Sequence, residues 1–453
     1  RVRTYTCTRA RAGTRTRAGT RARAGTRART GTCTRAGTGT AVGCCQSSSV
    51  LIACAVKDRM ISSVTETSEQ PAWASPDIYP EKPENAAYGA LSRKGRRCEF
   101  ESLEALGAHV RGSRESVVAV WTPQRAGMVP PEAVKDLLEP LRQRFVDVAE
   151  VDASDARRNT LIFSLILLWA LYANLANRII PTESIEVGLA GILLIILGLV
   201  PWYDAWQARK SAWELNEQRL GEEEQEARFE RWLSRERGLC TWIIIVLLVV
   251  VGAVQIWVEM DDSVKAAGLD KARYKAGEFY RLFTAPFLHG HPLHWALNAA
   301  GLCYIGRRVE ALAGWPHLAL VFLVAMVAGG VTTAQLLPDQ DSVGASGGLL
   351  GLLGFLLVFE TLHPLLVPRP TRHRLFAALV LTFLVGFVGY NFIDNYAHGG
   401  GLVAGMLYAA IVFPRSRSAR RPRANWLDLL FGGGSLVVLS AAALVAVALM
   451  LAS

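Results

Sequence analysis

No Cys-x-x-Cys pair occurs among the eight cysteines, which excludes the common zinc modules and thioredoxin-like redox centres. Cys44 and Cys45 are adjacent, and Cys240 and Cys303 fall inside apolar stretches, so no disulfide framework is indicated either. Charge is scarce. Asp, Glu, Lys and Arg make up 19% of the 453 residues against 51% hydrophobic, a balance too apolar for an ordinary soluble enzyme. The net charge of +10 raises nucleic acid as a partner, but no basic stripe with interleaved aromatics is present, so nucleic acid is rejected. Methionine is missing before Met60. The first 45 residues use only seven residue types, repeat RAGT and RARAGT, and show no apolar periodicity. Residues 1–59 are therefore expected to be an artefactual low-complexity tract, with the genuine protein starting at or near Met60.

What is present is a series of apolar runs, at 160–176, 187–203, 239–258, 294–313, 316–337, 346–360, 375–390, 396–413 and 427–451. Most approach the roughly 20 residues that cross a bilayer core as a helix, which predicts nine spans. Arginines gather in alternate connections: Arg157 and Arg158, seven in 204–237 with Lys210 counted among them, Arg307 and Arg308, Arg369, Arg372 and Arg374, and five in 415–423. The opposite connections at 338–345 and 391–395 contain no Lys or Arg, and the five in 259–293 are balanced by five acids. The positive-inside rule then puts the N-terminus in the cytoplasm and the 259–293 loop outside. The Arg- and Ala-rich composition points to a bacterium with GC-rich DNA, hence to a multi-pass protein of the cytoplasmic (inner) membrane.

The expected organisation is a flexible lead over 60–95, a small soluble cytoplasmic α+β module over 96–152, and an extra transmembrane hairpin with a charged cytoplasmic helix over 157–237. A helical core over 238–413 follows, and 414–453 supplies a basic loop and a last helix. In the module, "SVVAVWTP" reads as a strand and "PEAVKDLLEPLRQRF" has helical spacing with proline at its start.

Polar groups inside membrane helices are costly and mark function. Three stretches carry them: "HGHPLHWALN", "GASG" and "NFIDNYAHGGGLVAG". His294 and Asn298 are four apart and share a helix face, as do His398, Gly401 and Gly405. In the alternating topology His294, Ser346 and His398 each begin a helix at its outer end. Three segments thus bring a nucleophile, a base and hydrogen-bond donors to one layer. Packing competes as an explanation for Gly344/Gly348 and Gly347/Gly351, since small residues four apart let helices approach. His289, His291 and His294 have no further ligand at matched spacing, so no metal is expected. Asp394 reads as a helix cap, with contact to His398 as the alternative. Glu310, beside Arg307 and Arg308, reads as a structural hydrogen-bond partner.

These stretches resemble the motifs of the rhomboid family of intramembrane serine proteases: His289-x4-His294-x3-Asn298, Gly344-Ala345-Ser346-Gly347 and Ala397-His398-x2-Gly401-x3-Gly405, in family order. "YRLFTAPFLH" is similar to the arginine-containing motif of the family's outer loop. The resemblance covers about 238–413 and implies an all-α polytopic fold with a six-helix core. It further implies Ser346 as nucleophile and His398 as general base, with the Ser346 N–H and the His294 and Asn298 side chains stabilising the oxyanion. Gly344, Gly347, Gly401 and Gly405 would give room around the serine and between helices, and Arg281 would anchor the loop. Transmembrane proteins would be the substrates and the lipid bilayer the medium; no cofactor is implied, and no oligomeric state. Two positions depart from the family pattern. Tyr280 stands where tryptophan is common, and Leu350 where an aromatic residue usually packs on the histidine, which predicts a less rigid His398 and slower turnover. The alternatives are a non-catalytic, client-binding protein of the same family and a transporter; the latter needs polar groups at the midplane and is disfavoured.

Overall fold

A computed structural model describes residues 7–9, 70–83, 87–113, 115–181, 184–337, 340–391 and 393–452. Apart from 7–9, the tract expected over 1–59 lies outside the described residues. The chain is mostly helical, with one small sheet near its start. Strand β1 is Cys7–Arg9, β2 Tyr88–Ser92, β3 Arg96–Phe100 and β4 Val117–Trp121, in the spatial order β1-β3-β2-β4. Strands β2 and β3 form an antiparallel hairpin in which Tyr88 faces Phe100, and β4 adds antiparallel to β2 with Gly89 opposite Trp121. The hairpin turns at Gly95, whose φ of +77° suits only a residue without Cβ strain. Cys98 on β3 is disulfide-bonded, a pairing that the cysteine spacing did not signal.

Helix α1 (Leu103–Gly112) starts at Ser102, whose hydroxyl accepts the Ala105 N–H at 3.1 Å, and covers the sheet with Leu106 and Val110. Order begins earlier than expected: turns at Ala72–Ala74 and Pro76–Ile78 and strand β2 occupy the stretch read as a flexible lead. Nor does the module end near 152. Helix α2 (Leu138–Ala176) runs unbroken from the module into the first apolar run, because nothing between them breaks a helix.

The second apolar run forms α3 (Ile185–Leu193) and α4 (Val200–Trp213), joined by a π-helical turn at Leu194–Leu199. Pro201 follows that turn; its ring and missing N–H disturb the ladder one turn back, and the wider turn absorbs the mismatch. Helix α5 (Glu217–Arg235) starts at Asn216, which caps the Arg219 N–H at 3.0 Å, and buries Leu220, Phe229, Trp232 and Leu233. It is the charged helix expected before the core, with one face packed instead of solvated.

The core comprises α6 (Leu239–Val258), short loop helices α7 (Met260–Ala267), α8 (Lys271–Lys275) and α9 (Arg281–Thr284), and then α10 (Pro292–Ala313), α11 (Trp315–Leu336), α12 (Ser346–Leu362), α13 (Arg369–Val388) and α14 (Asn395–Val412); α15 (Trp426–Ala452) closes the chain. All nine apolar runs are helical, but among the described residues six helices are long and apolar enough to cross a membrane. Helix α12 is apolar but has 17 residues. Helices α10 and α14 are diluted by the polar residues and glycines that the sequence singles out. The protein is thus an integral, multi-pass membrane protein.

Helix α12 sits at the centre, packed on α11 and α14. Opposite the Ser346 end, buried Arg308 grips Glu360 through two hydrogen bonds of 2.7 and 2.9 Å. At the same end Glu310 accepts the Cys240 and Thr241 N–H groups, both at 2.9 Å, and so caps α6.

Candidate active site

Gly344 starts the site. Its φ of +118° turns the chain sharply into α12, and its N–H is held by the Ala285 carbonyl at 3.1 Å. A methyl group there would lie 2.7 Å from Cε1 of His294, so the bare backbone is what admits that ring, while Asn298 Nδ2, at 3.7 Å, would be in ordinary contact. Two residues on, Ser346 is the first residue of α12. First-turn N–H groups have no partner within a helix and point toward its mouth.

Ser346 does not bond back to a carbonyl of the preceding turn. Its Oγ lies 2.8 Å from Nε2 of His398, across 52 positions of sequence. The approach depends on glycine. A Cβ on Gly401 would overlap the Gly347 carbonyl, and one on Gly405 the Gly351 carbonyl, so α14 lies directly against the backbone of α12. Gly347 faces the Ala397 carbonyl, where a Cβ would come to 3.4 Å.

The donors converge from α10. Asn298 is buried, and its Nδ2 has no hydrogen-bond partner among the described residues. A buried, unspent amide N–H is an arrangement that proteins seldom leave without a use. His294 packs edge-on against His289, with centroids 5.1 Å apart. The His289 backbone is clamped by Gln255, whose Oε1 accepts its N–H at 2.9 Å and whose Nε2 donates to its carbonyl at 3.2 Å.

Asp394 caps α14, with Oδ1 accepting the Ala397 N–H at 2.9 Å. Its Oδ2 accepts the Ser342 hydroxyl at 2.6 Å, and Nδ1 of His398 is buried with no hydrogen bond among the described residues. Asp394 is therefore a cap and a tie to the loop before Ser346, not a third member of a hydrogen-bonded triad. Sequence reasoning missed Ser342, along with Gln255, Thr333 and Lys271, since single polar residues in loops and helices carry no spacing signal. Arg281 is buried; it reaches Glu278 at 2.7 Å and the Gly268 carbonyl at 2.7 Å, which holds the 259–293 loop together. Tyr280 remains exposed beside it.

Two cavities flank the pair. One of about 30 Å³ lies beside Ser346 and is lined by Thr333, Ser342 and Asp394, enough for a water molecule with polar partners. The other, about 240 Å³ and mostly apolar, lies between α12, α13 and α14 and is lined by Leu350, Leu379, Phe383, His398 and Leu402. Leu350 is buried there and leaves open the space that a larger ring would take.

Residues 276–415 match the family model of the Rhomboid domain. Inactive rhomboid protein 1 of Rattus norvegicus is 33% identical over 137 residues, 30% of this chain and 16% of that protein. Inactive rhomboid protein 2 of Homo sapiens is 33% identical over 139 residues, again 30% of this chain and 16% of that protein. RHOMBOID-like protein 4 of Arabidopsis thaliana is 30% identical over 169 residues, 37% of this chain and 41% of that protein. The chain thus spans about a sixth of the length of the inactive rhomboid proteins it matches.

Proposed function

The chain belongs to the rhomboid family, and from that premise we propose that it is an intramembrane serine endopeptidase acting on transmembrane segments of other proteins. The observation that carries the proposal is the 2.8 Å contact between Ser346 Oγ and His398 Nε2 at the mouth of α12. Ser346 Oγ attacks the substrate carbonyl carbon while its proton passes to His398 Nε2. The resulting oxyanion takes hydrogen bonds from the Ser346 N–H, from Asn298 Nδ2 and from His294. The C–N bond then breaks, the amine leaves with the proton from His398, and an ester on Ser346 remains. Water, deprotonated by His398, attacks that ester; the acid is released and the serine recovers its proton.

In this reading 238–413 is the protease core, and the apolar cavity beside His398 receives a substrate side chain. A substrate helix unwinds locally to expose its carbonyl, so small or helix-weakening residues are expected near the cut. The chain resides in a bacterial inner membrane with the N-terminus and the arginine-rich connections cytoplasmic, and it cuts near the outer face; the arginine distribution supports this. A second reading, client binding without catalysis, is favoured by relatives whose names include the word inactive.

The test is cleavage of a reporter transmembrane segment by the full chain in liposomes, with labelling by a fluorophosphonate. Ser346→Ala is expected to abolish both while leaving the thermal melting point in place. A folded wild type that neither cleaves several reporters nor labels at Ser346 would transfer the weight to client binding.

A further inference from the structure

Between α6 and the start of α10, at the same end of the bundle as Ser346, lies a cavity of about 200 Å³. Val249, Ala253, Ile256, Met260 and Pro292 line it, together with the Trp295 ring and two buried polar residues, Gln255 and His289. Its walls are fixed. A Cβ on Gly252 would lie 2.9 Å from Trp295 Nε1, so the indole rests on bare α6 backbone, and that Nε1 donates to the Leu248 carbonyl at 3.1 Å. Gln255 is spent as well: besides clamping the His289 backbone, its Nε2 donates to the Ser263 hydroxyl oxygen at 3.0 Å. The His289 ring is the exception. It is 1% exposed, and neither of its nitrogens has a hydrogen-bond partner among the described residues. Burial, aided by the neighbouring His294, pushes its pKa down to about 3, so the ring is neutral. The Phe287 backbone lies near enough to favour a proton on one nitrogen; the other is a lone pair with no donor to fill it.

Such an acceptor selects its guest. A buried lone pair without a partner is stabilised by any donor that reaches it. A neutral ring among apolar side chains offers no countercharge, so a phosphate or an ammonium would be buried unpaired. A hydroxyl fits. An apolar cavity of roughly 150 Å³ already takes a benzene-sized guest, so this one has room for a short stretch of hydrocarbon chain. Access is from the lipid. Val249 and Ile256 line the cavity and are exposed on α6, and exposed Trp257 stands beside them at the end of the span, where indoles favour the membrane interface. From this geometry we propose that the cavity binds the hydroxyl end of an uncharged lipid, with its chain lying against α6 and its O–H donating to the His289 ring. A long-chain alcohol and a monoacylglycerol share that chemistry. The proposal does not depend on proteolysis.

The full chain in liposomes would be irradiated with a diazirine-bearing dodecanol, or with the methyl ether of the same probe, and the labelled peptides read by mass spectrometry. In wild type the alcohol is expected to mark the peptides that carry Ala253 and Pro292 roughly fivefold more than the ether does, the worth of one hydrogen bond. His289→Phe should erase that preference. Ala253→Phe fills the cavity from its exposed side and should remove labelling there by both probes, which keeps the test decisive if His289→Phe fails to fold. Leu444→Phe, on the exposed face of α15, should change nothing. Displacement of the probe by excess monoolein would assign the site to a glycerolipid, and displacement by unlabelled dodecanol alone to a free alcohol. Equal labelling by the two probes in wild type, or an unchanged pattern in Ala253→Phe, would mean simple partition into the bilayer and overturn the site.

Discussion

Both oxygens of Asp394 are spent within one turn of His398, one on the α14 cap and one on Ser342. The Ser342 hydroxyl also lies 3.4 Å from Thr333 Oγ1, which Lys271 reaches at 3.0 Å from the 259–293 loop. This chain of contacts couples the loop before Ser346, α11 and the helix that carries His398. Asp394→Ala is expected to cost about 1–2 kcal/mol of stability through the lost cap and to lower kcat more than it raises KM. Asp394→Asn keeps a capping oxygen and should recover most of both. Thermal melting and reporter kinetics check this, and a wild-type kcat in the alanine variant would show that His398 needs no such support. The motif residues themselves were legible because a serine between glycines and a histidine beside spaced glycines are rare in apolar runs. Ser342 was not, since nothing in sequence distinguishes a loop serine 52 positions from its partner.

Helix α14 owes its position to what it lacks. Gly401 and Gly405 repeat every four residues and so fall on one face, and α12 offers Gly347 and Gly351 to meet them. Gly399, two positions earlier, has nothing near its missing side chain. Gly405→Val is therefore expected to unfold the bundle or cost at least about 3 kcal/mol, because a backbone carbonyl cannot yield as a side chain would. Gly399→Ala should stay within about 1 kcal/mol of wild type. Comparing the two by thermal melting in detergent separates the packing face from a general intolerance of the helix; equal effects would contradict the close approach. Helix α13 is held differently. It touches α12, α3 and α5, with Arg374 paired to Glu226 of α5 at its basic end. Those neighbours could not be read from sequence, because a lipid-facing helix and a loosely packed one have the same composition.

Across the whole molecule, the small sheet and its helix α1 are joined to the membrane helices by α2 and by the packed face of α5. The turn at Pro131–Ala133 rests on α5 and buries one oxygen of Glu132 with no hydrogen-bond partner among the described residues. Burial, reinforced by the Glu223 carboxylate, pushes the Glu132 carboxyl up to about 7. A carboxyl with a raised folded-state pKa holds its proton longer in the folded chain than in the unfolded one. Its stabilising share is full below the ordinary carboxylate range and is lost as pH rises toward 7, after which it levels off. Glu132→Gln should remove that dependence and raise stability at pH 8 by roughly 1–3 kcal/mol, with little change at pH 4. Melting curves over pH 4–8, followed by tryptophan fluorescence, would show the convergence; parallel curves at every pH would refute it.

The sequence by itself determined the helical membrane class, the order of the apolar runs, one strand of the small sheet and the family resemblance, because those depend on local hydropathy and short fixed spacings. It also singled out His294, Asn298, Ser346 and His398, since polar groups stand out against an apolar background. Only the tertiary structure decided which carbonyl each glycine faces, that Asp394 serves the loop and not the imidazole, and that order begins before Tyr88. Those are contacts between residues tens to hundreds of positions apart. Their energies depend on distances that no local pattern encodes.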